Sequence, residues 1–122
     1  MENAAMSTGR VLVVEDEMIV AMFVEDVLAD LGYETAGIVS RMEDGIARAA
    51  DKDFDLAILD VHLNGKEVFP LADALTANKV PVIFATGYGA RGLPDRYRGF
   101  PVLQKPFQPE DLAKVLAESK KR

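Results

Sequence analysis

The chain has no cysteine, a single histidine and fewer basic than acidic residues, and each shortage removes a class of function. Without cysteine there is no disulfide framework, no thiolate nucleophile and no thiolate metal site. One histidine, His62, cannot build a multi-histidine metal centre. Fourteen Lys and Arg against twenty Asp and Glu leave a formal charge of −6. That sign argues against nucleic acid or an anionic membrane as the main partner, since both need a dense basic face. No apolar run approaches the roughly 20 residues of a membrane span. Residues 1–10 lack the apolar core of a signal peptide. At 122 residues the chain has room for one sizeable core but not for a two-domain enzyme. The expectation is an acidic, cytoplasmic, single-domain protein.

What is present is an alternation of short apolar runs and longer helical patterns. Residues 11–14, Val-Leu-Val-Val, read as a strand buried on both faces. Over 18–31, Ile19, Val20, Phe23, Val24, Val27, Leu28 and Leu31 recur at helical spacing, and Gly32 is the stop signal. A second strand fits 35–39. Ser40-Arg41-Met42-Glu43 reads as a capping box opening a helix to about Ala50. Leu56-Ala57-Ile58-Leu59 is a third buried run, ending in Asp60. After a turn at Asn64-Gly65, Val68, Leu71, Ala72 and Leu75 share a helix face, with Pro70 tolerated in the first turn. Residues 80–85 form a fourth strand, 101–103 a short fifth, and Pro109 opens the last helix. Four Gly and two Pro in 87–101 predict a short helix or a loop in place of a full fourth helix. The expected domain is 10–122, with 1–9 a disordered lead-in. The order implies a doubly wound α/β fold with a five-stranded parallel sheet, flavodoxin-like with strand order 2-1-3-4-5. In that fold a site forms at the carboxyl ends of the strands, near the first and third.

Polar groups stand at those ends. The first strand runs into Glu15-Asp16-Glu17, the third ends in Asp60, the fourth meets Thr86, and the fifth meets Gln104-Lys105-Pro106. Taken singly, an acid after a strand is more often a helix cap or first-turn residue. Five such positions on four strands make a constellation. Converging carboxylates from neighbouring strands repel unless a cation intervenes, and a hard dication such as Mg²⁺ relieves the repulsion. Lys105 adds an ammonium and Thr86 a hydroxyl. Acids, metal, ammonium and hydroxyl together suit the movement of a phosphoryl group, with one carboxylate attacking.

Over about residues 10–118 these segments resemble the receiver domain of two-component response regulators. The carrying strings are Val-Leu-Val-Val-Glu15-Asp16-Glu17, Leu-Ala-Ile-Leu-Asp60-Val-His62-Leu-Asn-Gly65, Phe84-Ala85-Thr86-Gly87-Tyr88 and Lys105-Pro106-Phe107. The resemblance implies that Asp60 is the phospho-acceptor. Glu15, Asp16, Asp60 and the backbone carbonyl of His62 would hold Mg²⁺. Thr86 and Lys105 would engage the phosphoryl group, and the Lys105–Pro106 bond would be cis. Residues two beyond Asp60 and Thr86, here His62 and Tyr88, tune acyl-phosphate lifetime in this family. Most receivers carry Ala or Ser after the switch Thr or Ser and an aromatic three residues before the Lys. Here Gly87 and Val102 stand there, so the usual threonine–aromatic switch does not carry over. The Phe84–Tyr88 string resembles the FATGUY subgroup, found as stand-alone regulators and in PhyR-type general-stress regulators.

The implied function is phosphorelay signalling. A sensor histidine kinase of the HWE/HisKA2 type, or a histidine phosphotransfer protein, would phosphorylate Asp60. The phosphate would then switch a protein-contact face made of strand 4, the following loop, strand 5 and the last helix. A loop switch at Gly87 and Tyr88 is expected, with Tyr88 or Phe100 as aromatic contact. Because the chain ends at the domain boundary, output is expected through protein contact, with no enzymatic turnover beyond self-phosphorylation and self-dephosphorylation. Two alternatives differ in class. A haloacid dehalogenase-like phosphohydrolase would need an acid where His62 stands, and a non-phosphorylated docking module would not need the full set of five residues.

Overall fold

A computed structural model describes residues 9–120. Five parallel strands form one sheet: β1 (Gly9–Val14), β2 (Tyr33–Val39), β3 (Leu56–Asp60), β6 (Val82–Thr86) and β7 (Val102–Gln104), in the order β2-β1-β3-β6-β7. Counted within the sheet this is 2-1-3-4-5, as the alternation of elements predicts. Four helices cover its faces: α1 (Met18–Asp30), α2 (Met42–Arg48), α3 (Phe69–Ala77) and α4 (Pro109–Lys120). Among the described residues no helix is long and apolar enough to cross a membrane.

The uninterrupted apolar strands bury both faces. Val11 and Val13 point into a core with Val24, Leu28, Leu112 and Leu116, which belongs to α1 and α4. Leu12 and Val14 point into the opposite core with Leu71, Leu75, Phe84 and Tyr97. On that second side α2 and α3 lie so close that a Cβ on Gly45 would stand 2.6 Å from a methyl of Leu71. The first core takes only part of the apolar set predicted for α1. Ala21, Val24, Val27 and Leu28 are buried, whereas Met18, Ile19, Met22, Phe23 and Leu31 are exposed.

Several boundaries move. The first strand begins at Gly9, one residue inside the predicted lead-in, whose residues 1–8 lie outside the described part. The capping box does not form: Arg41 caps α2 and makes no side-chain capping bond. Ser40 instead gives its carbonyl to the side-chain amide of Asn64, at 2.7 Å. That contact comes from a hairpin, β4 (His62–Leu63) and β5 (Lys66–Glu67), where the Asn64-Gly65 motif alone predicts a turn. Asn64 at φ 53° and Gly65 at φ 79° both adopt the left-handed conformation of a two-residue hairpin loop. Between β6 and β7 there is no α-helix. Two 3₁₀ turns, Gly89–Gly92 and Asp95–Tyr97, span the Gly/Pro-rich stretch.

Candidate functional site

Parallel pairing aligns the strand ends. Val14 pairs with Leu59, Asp60 with Ala85, and Thr86 with Gln104, so Glu15, Asp60, Thr86 and Lys105 emerge along one edge. Glu15, Asp16 and Asp60 can each bring a carboxylate oxygen within 4.8 Å of the others. The Lys105 ammonium reaches between two of them, 3.2 Å from Glu15 Oε1 and 3.3 Å from Asp60 Oδ2. The Lys105–Pro106 peptide that precedes α4 is cis.

Burial makes this cluster electrostatically tense. Glu15 is only 4% exposed and Asp60 8%. Loss of hydration, helped by the negative charge of Asp60, pushes the Glu15 carboxyl up from 4.5 to about 7. The Glu17 amide, which donates to Glu15 Oε2 at 3.1 Å, and the Lys105 charge oppose that rise. Burial acts on Lys105 in the opposite sense and would lower its value. The attraction of Asp60 and Glu15 more than offsets this, and its pKa is raised. Two acids and one ammonium thus leave the pocket short of positive charge.

The hairpin completes one wall. Asn64 donates its backbone N–H to Asp16 Oδ2 at 3.0 Å. The His62 N–H points at Asp60 Oδ1, at 3.4 Å. Val68 bonds to the Val61 carbonyl and Leu63 pairs with Lys66, so His62 opposite Glu67 occupies a non-hydrogen-bonded position. Its carbonyl is therefore not consumed by the ladder. The His62 ring meets the Tyr88 ring edge-on, with centroids 6.1 Å apart, beside the pocket.

Thr86, 2% exposed, is the last residue of β6. Its carbonyl accepts the Lys105 N–H at 2.9 Å, and its Oγ1 accepts the Tyr88 N–H at 3.0 Å. The other predicted aromatic contact lies elsewhere. Phe100 packs on Phe84 and Tyr97 in the core, away from His62 and Tyr88. Arg96 forks onto Asp73 of α3 at 2.9 and 3.0 Å, and the Tyr97 hydroxyl bonds to the same carboxylate. Asn64, Gln104 and Tyr97 are the contributors that sequence reasoning missed. Asn64 had a signal in its turn motif and Gln104 in its place at a strand end beside Lys105, while Tyr97 had none that distinguishes it from a core residue. Ile19, Val20, Phe23, Pro106 and Phe107, together with Glu17 and Lys105, line a mainly apolar groove of about 570 Å³.

Known proteins are similar to this chain in sequence and fold. The response regulator receiver domain profile matches residues 11–117. The chain is 30% identical over 122 residues to the phyllosphere-induced regulator PhyR of Methylorubrum extorquens, covering 97% of this chain and 46% of that protein. SdrG from Sphingomonas melonis Fr1 superposes with a TM-score of 0.81 at 40% identity, covering 98% of this chain and 99% of that one. The BeF3-activated conformation of SdrG from Pseudomonas melonis Fr1 gives 0.77 at 44% identity, with 88% and 92% covered. The chain spans about half the length of the curated relatives it matches. With the match running from β1 into α4, the chain belongs to the response regulator receiver domain family.

Proposed function

We propose that the chain is a phosphoryl acceptor in a two-component relay, taking the group from a phosphohistidine onto Asp60. The observation that carries this is the Lys105 ammonium seated between buried Glu15 and Asp60, with Asp16 within reach. A carboxylate oxygen of Asp60 forms the new O–P bond as the N–P bond of the donor breaks, and the electron pair stays on the donor imidazole. Lys105 faces the incoming phosphoryl oxygens from one side, and the Thr86 hydroxyl, whose proton is not committed to Tyr88, donates from another. Turnover of an external substrate has no part in this reading.

The donor set fits a hard dication. Three carboxylates crowd together, burial beside Asp60 raises the Glu15 carboxyl to about 7, and the His62 carbonyl stands outside the hairpin ladder. Glu15, Asp16, Asp60 and that carbonyl would hold Mg²⁺, which supplies charge neutralisation for the phosphoryl oxygens. The mainly apolar groove that Lys105 helps to line would seat the donor protein, a sensor histidine kinase of the HWE/HisKA2 type or a histidine phosphotransfer protein. Output would pass through the face of β6, the 87–101 segment, β7 and α4 to a protein partner. The Phe84–Tyr88 string and the likeness to PhyR favour the FATGUY subgroup and a general stress response, in the cytoplasm, with 10–122 as the functional domain.

The test is phosphotransfer. With Mg²⁺ and acetyl phosphate or a phosphorylated kinase, the wild-type chain should take up one phosphoryl group and Asp60→Asn none. Uptake retained by the variant refutes Asp60 as acceptor.

A further inference from the structure

The turn after Thr86 is poorly anchored by its own side chains. A Cβ on Gly87 would meet nothing within 4 Å, and Tyr88 is 62% exposed. Gly89 has a φ of +61°, and a Cβ there would approach the side-chain oxygen of Gln104 to 3.0 Å. The amide nitrogen of that same side chain holds the turn. Gln104 Nε2 donates to the Gly87 carbonyl at 3.0 Å and to the Lys105 carbonyl at 3.3 Å. Among the described residues, this is the side chain that hydrogen-bonds to the main chain of the 87–89 turn from another strand.

We propose that Gln104 is a positioning residue that ties the 87–89 turn to the end of β7 and so holds the Thr86 hydroxyl in its resting place. The proposal rests on Asp60 as the phosphoryl acceptor. Gln104 is the register partner of Thr86, so one strand end is bonded twice to the other: through the Lys105 N–H to the Thr86 carbonyl, and through the Gln104 amide to Gly87. The Tyr88 N–H bonds to Thr86 Oγ1, which makes hydroxyl and turn one mechanical unit. When the hydroxyl moves to meet a phosphoryl group on Asp60, the turn must move with it or give up the Tyr88 bond. In the first case the Gly87 carbonyl leaves the Gln104 amide. The tie therefore opposes the phosphorylated arrangement. The motion also has room at Gly87, whose surroundings are open, while Tyr88 is mostly exposed and touches only the edge of the pocket through the His62 ring. Cutting the tie should shift the population toward the phosphorylated arrangement.

The experiment titrates the intact chain with beryllofluoride in Mg²⁺, following backbone amide NMR shifts, for wild type, Gln104→Met, Gln104→Glu and Asp60→Asn. Methionine keeps the length of the side chain without its donor, and glutamate turns an acceptor toward the Gly87 carbonyl. Both variants are expected to bind beryllofluoride about three- to ten-fold more tightly. Without ligand, their 86–89 amide shifts should already lie part way toward the bound wild-type positions. Because Gln104 is exposed, thermal midpoints should stay close to wild type, so a merely structural role would not produce this pattern. Equal or weaker binding overturns the positioning role. Unmoved 86–89 shifts in the unliganded variants overturn the tie itself, whether or not anything binds. If wild type fails to bind beryllofluoride, the acceptor reading fails and the positioning role with it. The unliganded shifts still distinguish that outcome from the absence of a tie.

Discussion

At the scale of single residues the pocket is held together by one cation among acids that cost energy to bury. Glu15 carries the clearest consequence. Its folded pKa of about 7 lies above its ordinary 4.5, so its contribution to stability is fully present below 4.5 and is lost as the pH rises through 7. Without Mg²⁺, Glu15→Gln should gain on wild type over that interval, the difference in unfolding free energy widening from pH 5 to pH 8. Chemical denaturation in chelator at several pH values reads it directly, and parallel profiles would sink the assignment. Saturating Mg²⁺ should reverse the ranking at pH 8, because the variant removes a carboxylate that the dication would neutralise. Lys105 and Asp16 show the same economy of partners. Each serves two elements: Lys105 spans Glu15 and Asp60, and Asp16 reaches the Asn64 amide of the hairpin.

At the scale of elements, the stretch between β6 and β7 replaces a helix with a latch. Its 3₁₀ turns lack the ladder of a full helix, and Leu93, Tyr97 and Pro101 are buried among its described side chains. Tyr97 lies edge-on to Phe84 and stacks on Phe69, while its hydroxyl and the Arg96 guanidinium share Asp73 on α3. Asp73→Ala would remove the acceptor that the part-buried Tyr97 hydroxyl shares with Arg96. The expected cost is about 1 kcal/mol. It should appear as faster amide exchange in residues 93–100, with β1 and β3 unchanged. Uniform acceleration across the sheet would mean the latch is part of the global core and not a local restraint. The Gly and Pro content of 87–101 was enough to exclude a full helix. What replaces that helix depends on Asp73, about 23 residues away, which no local pattern reveals.

At the scale of the whole molecule, one sheet is shared by two apolar layers, so neither layer can melt alone. Phe84 is fully buried at the centre of the α3 side, in ring contact with Phe69, Tyr97 and Phe100. Phe84→Ala should cost about 3–5 kcal/mol. The loss should appear as a single transition, with far-ultraviolet circular dichroism and tyrosine fluorescence superimposing. Separate transitions would show that the α1–α4 layer survives the loss of the other. The exposed apolar part of α1 belongs to this scale too. Periodicity marked Ile19 and Phe23 as core, yet α4 and the sheet cover only the Val24–Leu28 side of the helix.

The sequence by itself determined the parallel sheet, its order and the edge on which the site lies. Those follow from short-range causes: unbroken apolar runs demand burial on both faces, glycine and proline end elements, and polar residues mark where strands surface. Acids and a lysine at strand ends were legible for the same reason. Only the tertiary structure decided who bonds to whom. Lys105 meets Glu15 across 90 residues, Asn64 meets Asp16 across 48, and Gln104 meets Gly87 across 17. Such contacts depend on strand register and on the reach of individual side chains, and these exist only once the whole sheet has closed.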